Sequence, residues 1–149
     1  MPERESMFAY ICLGSNSLKR SAAFYDPTLG VLGYSRCNTS AESETSWNGW
    51  LGWGLYENEG AVQDALWVCE PFNGAPASVG NGGMVALWAK SWRQVEAFHA
   101  AALAYGGTSE GAPGLRLNYN PDFYAAYVRD PDGNKLAVVC RGFTSAQGQ

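Results

Sequence analysis

The chain is poor in the groups that hold metals and polyanions. Of its 149 residues one is His, 10 are Lys or Arg and 14 are Asp or Glu, for a net charge of −4. The basic residues are scattered. That argues against nucleic acid as a partner, because phosphate binding needs a basic stripe, and equally against an anionic membrane surface. Long apolar runs are also missing. Apolar runs such as Met84–Ala89 and Ala137–Cys140 fall far short of the ~20 residues that span a bilayer. The start, Met1-Pro2-Glu3-Arg4-Glu5, is charged where a secretory signal would have a basic end and an apolar stretch, so the cytoplasm is the expected compartment. The cysteines, Cys12, Cys37, Cys69 and Cys140, form no C-x-x-C pair, and three of them sit in apolar strand-like runs. Buried free thiols are the simplest reading. Disulfides stay open, because sequence alone cannot pair four cysteines. No nucleophile system of the Ser–His–Asp or Cys–His kind can be assembled around the one His. Gly80-Asn81-Gly82-Gly83 lacks the Lys-Ser/Thr of a phosphate loop and precedes a strand, so it reads as linker.

Apolar residues, by contrast, make up 46% of the chain, six of them Trp. This is enough for the core of one domain spanning residues 1–149. The most informative feature is internal. Ser17-Leu18-Lys19-Arg20-Ser21-Ala22-Ala23-Phe24-Tyr25 is echoed without a gap by Ser91-Trp92-Arg93-Gln94-Val95-Glu96-Ala97-Phe98-His99, and Leu29, Gly33 and Ser35 are echoed by Leu103, Gly107 and Ser109. One repeat over half the chain implies two similar modules. Each copy reads as an amphipathic helix. Ser17 and Ser91 suit the N-cap. Leu18, Ser21, Phe24 and Tyr25, and likewise Trp92, Val95, Phe98 and Ala102, recur at helical spacing. Gly33 and Gly107 are placed to close the helices. Pro27 should kink or shorten the first.

A strand precedes each helix, at Phe8–Gly14 and Met84–Ala89. Three strand-like runs follow each: Gly33–Cys37, Trp50–Tyr56 and Ala65–Cys69, then Leu115–Tyr119, Phe123–Arg129 and Lys135–Cys140. Turn signals at Glu57-Asn58-Glu59-Gly60 and Asp130-Pro131-Asp132-Gly133-Asn134 separate them. The expected architecture is α+β: two βαβββ modules, at about 7–70 and 82–142, joined by a linker at about 71–81. A helix covers one face of each sheet. The second module, a partner chain or a ligand must cover the other.

The order βαβββ, twice, resembles the module of the glyoxalase, bleomycin-resistance and extradiol-dioxygenase (vicinal oxygen chelate) superfamily. Local sequence agrees. Ala22-Ala23-Phe24-Tyr25 leading to Leu32-Gly33-Tyr34 is similar to the superfamily's first helix, and Asp130-Pro131-Asp132-Gly133-Asn134 to its last hairpin turn. Gly80-Asn81-Gly82, Ala97-Phe98-His99-Ala100-Ala101-Ala102-Leu103, Gly106-Gly107 and Gly111-Ala112-Pro113-Gly114-Leu115-Arg116 resemble a bacterial glyoxalase-like subgroup. The resemblance covers nearly the whole chain. It implies a curved mixed sheet forming an open, barrel-like cup, and a homodimer. It does not specify the activity, because one fold hosts many chemistries.

Superfamily enzymes hold a divalent metal in the cup, on His, Gln or Glu from the first and last strands of each module. The repeat carries those slots onto Tyr10, Met84, Ala137 and a place near Trp67. Phenol, thioether, methyl and indole do not make a site for a hard or borderline cation, and a tyrosinate ligand would have to give up a proton of pKa about 10. His99 echoes Tyr25 on a helix, away from the cup, and Glu70 is the one carboxylate near a slot. No metal and no other cofactor is expected. This disfavours the two-His, one-carboxylate iron chemistry of the dioxygenases and the metal-bound water of the glyoxalase reaction.

Strand alternation puts Tyr10 and Cys12 in the cup, with Met84, Ala86 and Trp88, and with Ala137 and Val139 beside Lys135. Trp67 and one or more of Trp47, Trp50 and Trp53 add to an apolar, aromatic crevice of the kind that binds small molecules. Tyr10, Arg116, Tyr119, Tyr124 and Tyr127 are its candidate polar groups. Three readings follow. The first is a metal-free protein binding a small aromatic or planar molecule. The second is a glyoxalase-like lyase or isomerase using Tyr10 or another cup residue as acid or base. The third is an interaction protein whose cup is filled by Trp67, Met84 and Trp88, with Trp47, Trp50 and Trp53 marking a dimer surface.

Overall fold

Both helices start where the serines place them. In a computed structural model, which describes residues 6–37 and 49–142, α1 (Leu18–Val31) is capped by Ser17, whose hydroxyl accepts the Arg20 N–H at 3.2 Å. Ser91 caps α2 (Trp92–Ala104) through the Gln94 N–H at 3.1 Å. The Gln94 side chain reaches back to the Lys90 N–H at 2.7 Å, a reciprocal arrangement close to a capping box. Pro27 does not shorten α1, which continues to Val31. The carbonyl that loses its amide partner belongs to Ala23, on the solvent side, where water can replace the bond. Gly33 takes the left-handed conformation beyond α1. After α2 that role falls to Gly106 rather than Gly107. Gly107 is small for another reason: a Cβ there would stand 2.7 Å from both the Phe24 ring and the Arg129 carbonyl.

The strands are β1 (Tyr10–Gly14), β2 (Trp50–Glu57), β3 (Val62–Cys69), β4 (Val85–Trp88), β5 (Thr108–Leu115), β6 (Tyr124–Arg129) and β7 (Lys135–Cys140). They form two sheets, ordered β1-β3-β2 and β4-β7-β6-β5. In each, the strand before the helix lies parallel to the module's last strand. The expected mixed α+β fold of two related modules is therefore present, with neither sheet closed into a barrel.

Two strand expectations need correction. Gly33–Cys37 contributes only an isolated bridge, Arg36 to Trp53. The second-module strand runs over Thr108–Leu115, ahead of the predicted Leu115–Tyr119. Gly111-Ala112-Pro113-Gly114 looks like loop, but β5 is an edge strand with two register shifts. An edge tolerates the missing proline N–H, and irregularities absorb the glycines.

One apolar cluster joins the modules. Phe24, Tyr25, Leu51, Trp53 and Val68 of the first meet Val95, Phe98, Val128, Leu136 and Val138 of the second. Each such side chain contributes roughly 1.5–3 kcal/mol on burial. Polar bonds at the Asp130–Asn134 turn add to the junction. Asp132 accepts from the Arg20 guanidinium at 2.7 Å and the Asn16 N–H at 2.9 Å. The Tyr25 hydroxyl donates to Asp130 at 2.6 Å, and the Asn134 amide donates to the Gly14 carbonyl at 2.9 Å. Burial, reinforced by the Asp130 charge, pushes the Tyr25 phenol well above its usual range, so it remains a donor.

The cysteines divide. Cys37 and Cys140 are buried free thiols, as expected. Cys12 and Cys69 are not free but joined as a disulfide. The parallel register sets Cys12 beside Trp67 and Cys69 beside Gly14, which leaves the two sulfurs as diagonal neighbours on one face. No helix among the described residues is long and apolar enough to cross a membrane.

Candidate functional site

Each sheet turns one face to the helices and the other outward. Ladder register fixes which residues share the outward face. Cys12 pairs with Trp67 and Ala86 with Ala137. Cys12 and Ala86 are repeat equivalents, so Trp67 and Ala137 occupy matching places, as the slot assignment required.

The outward face of the first sheet is filled. Trp67 lies across Gly52, where a Cβ would stand 2.5 Å from the indole ring. The Trp67 indole N–H donates to Gln63 at 2.8 Å, and Tyr56 meets the ring edge-on at 5.3 Å. With Cys37 and Ala65 these residues make a small separate core. Trp67 is only 9% exposed, whereas Tyr10 on the neighbouring strand is 56% exposed.

The outward face of the second sheet is partly covered, Phe123 and Tyr127 packing over Ala125, Ala137 and Val139. Ala86, Ala125 and Ala137 are small and adjacent on its outward face. Beside them lies a cleft of about 750 Å³. Tyr127, Phe123, Tyr119 and Met84 form its apolar walls. Arg116 and Lys135 project over it, and Glu110, Gly111, Asn118 and Arg141 complete the lining. Arg116 reaches this position because the chain ahead of it is small. Its guanidinium folds back to donate to the Ala112 carbonyl at 2.7 Å. It passes Gly111 and Gly114, where a Cβ would stand 3.2 and 3.1 Å from its nitrogens. The Arg116 guanidinium and the Lys135 ammonium both lie over the Tyr127 ring, 5.4 and 5.6 Å from its centroid. Burial pushes the Tyr127 hydroxyl up, with the neighbouring Tyr119 adding to it, so it remains protonated at neutral pH. Glu110 is bonded to Arg129 at 2.5 Å, a contact that holds its carboxyl below the usual range. Asp122, bonded to the Gly142 N–H and to Arg141, is lowered too.

The fold has solved counterparts. The chain is 36% identical to a glyoxalase/bleomycin resistance protein from Albidiferax ferrireducens T118, over 91% of this chain and 99% of that one, with a TM-score of 0.73. The chain belongs to the glyoxalase/bleomycin resistance protein family. A glyoxalase-related enzyme from Fulvimarina pelagi (18% identity, 97% and 96% covered, TM-score 0.65) and a lactoylglutathione lyase from Agrobacterium tumefaciens (17%, 94% and 96%, 0.58) share the fold. No protein-family model matches the sequence, and no curated protein does.

The resemblance to the superfamily implied four slots for metal ligands. The four slots hold Tyr10, Met84, Trp67 and Ala137, and among the described residues no three His, Cys, Asp or Glu stand together as a metal site. These side chains do not fit a divalent cation. His99 sits on α2 and bonds the Ser109 hydroxyl at 2.9 Å.

Of the candidate residues, Met84, Arg116, Tyr119 and Tyr127 converge on the cleft. Tyr10 and Trp88 stand exposed on the outward faces, outside its lining, and Cys12 is engaged with Cys69. Trp67 packs as core. Tyr124 faces the helices, stacked on Trp92 at 3.9 Å, and Trp53 is likewise in the helix-side core. Trp50 is exposed at the edge of the first sheet, and Trp47 lies outside the described residues. Phe123 was missed. Strand parity was the available signal: Phe123 and Tyr127 are an even number of residues apart and share a face, whereas Tyr124 and Tyr127 do not. Glu110 and Arg141 carried no local signal.

Proposed function

We propose that this family member is a metal-free binding protein that holds a small aromatic or planar molecule in the cleft of its second sheet. The observation that carries this reading is the open space of about 750 Å³ walled by Tyr127, Phe123, Tyr119 and Met84. Aromatic walls with a few fixed polar groups are the usual make-up of a small-molecule site. The test is a titration with uncharged planar aromatic probes, followed by tryptophan emission and calorimetry. Saturable binding should weaken about tenfold in Tyr127→Ala, which removes a stacking wall. Binding that ignores this substitution would put the ligand elsewhere.

The same reading makes the protein a homodimer. The family resemblance is its first support. The exposed Tyr10, Trp88 and Trp50 on the outward faces are its second, since aromatics are enriched in interfaces. Sedimentation should give the mass of two chains, and a single-chain mass at micromolar protein would reject the dimer.

A further inference from the structure

Charge in the cleft is distributed unlike charge in the chain. The sequence holds more acids than bases, 14 against 10. Yet of the four charged residues lining the cleft, Glu110, Arg116, Lys135 and Arg141, three are cationic. The single carboxylate is already bonded to Arg129. Arg141 is bonded to Asp122 at 3.0 Å. Arg116 and Lys135 make no ion pair among the described residues, and both lie over one aromatic ring.

We propose that the cleft selects anions, and that its ligand is a planar molecule carrying a carboxylate. Arg116 and Lys135 hold the carboxylate while Tyr127, Phe123 and Tyr119 take the flat body. The inference rests on the ligand-cleft reading above and names the ligand class.

Three features support it. A guanidinium is planar and matches a carboxylate in shape. The Arg116 guanidinium spends one nitrogen on the Ala112 carbonyl, which fixes the group and leaves its other donors for the ligand. That anchoring lowers the ordering cost of binding. Tyr127 lines the cleft as a neutral phenol, so the wall does not repel an anion. An alkylammonium ligand would meet two cations with no free carboxylate to offset them.

The experiment compares three probes of one shape: 2-naphthoate, 2-naphthamide and 2-naphthylmethylammonium. Each is titrated into the full chain, and the amide resonances of Ala125 and Tyr127 locate binding. The naphthoate should bind about tenfold more tightly than the naphthamide, the usual gain when an acceptor becomes charged. Arg116→Gln or Lys135→Gln should weaken naphthoate more than naphthamide and so shrink that gap. Each variant's own amide spectrum reports whether it is folded, and Lys135→Gln leaves the Arg116 turn untouched. If naphthamide or the ammonium binds the cleft as well as naphthoate, anion selection is overturned while the ligand-cleft reading stands. A naphthoate preference that survives both substitutions overturns the assignment to Arg116 and Lys135. If no probe moves the cleft resonances at millimolar concentration, both readings fall together.

Discussion

Gly52 and Trp67 show how one missing side chain shapes a whole face. The indole occupies the space above Gly52, and a Cβ there would overlap ring carbons. Because Trp67 is held by Gln63 and Tyr56, it cannot swing away cheaply. Gly52→Ala should lower the unfolding free energy by about 1–3 kcal/mol, the usual cost of overpacking, as read by urea denaturation. An unchanged midpoint would mean the ring is free to move. His99 offers a second test at this scale. Burial lowers its pKa from the usual imidazole value. Its folded pKa lies below its unfolded one, so the unfolded chain binds more protons in the window between them. Stability should therefore fall as pH drops from about 6.5 and level off below the folded pKa. It is the only His in the chain, so its ring signal can be followed without ambiguity. A titration midpoint at or above the ordinary imidazole value would contradict this account.

Secondary elements were legible where periodicity and caps agree. Ser17 and Ser91, with apolar residues at helical spacing, mark both helices. The strands were legible except at Gly33–Cys37, which makes only an isolated bridge, and at β5, which hides behind glycines and a proline that only an edge strand accommodates. The Asp130–Asn134 turn was read as local punctuation, yet it is a joint between modules. Asp132 is almost wholly buried and gathers the Arg20, Asn16 and Ser21 donors. Asp132→Ala should cost about 0.5–1.5 kcal/mol, because it removes hydrogen bonds that tie the turn to the first module, and should lower the melting temperature without disturbing either helix's amide pattern. If thermal unfolding is unmoved, the turn contributes nothing to the junction.

For the molecule as a whole, the slot residues and the cleft point the same way. Phenol, thioether, indole and methyl occupy the slots that the resemblance implied for metal ligands, so the protein should carry well under one equivalent of zinc, nickel, manganese or iron. Chelator treatment should leave the melting temperature unchanged, since no folding energy is linked to metal release. Stoichiometric metal with a chelator-induced drop would restore the lyase reading. The two modules have also diverged in use. Trp67 closes the outward face of the first sheet, whereas on the second Phe123 and Tyr127 cover the alanines and wall a cleft.

By itself the sequence determined whatever depends on near neighbours: the duplicated helix, its serine caps, the facing of β1 and β4, and the residue types in the metal slots. Tertiary structure alone decided where the cleft opens, which way Tyr124 and Trp53 point, how Arg116 comes over Tyr127, and that Cys12 meets Cys69. The physical reason is range. Caps and periods act over a few residues, whereas register between strands sets contacts across dozens of positions, and no single residue announces it.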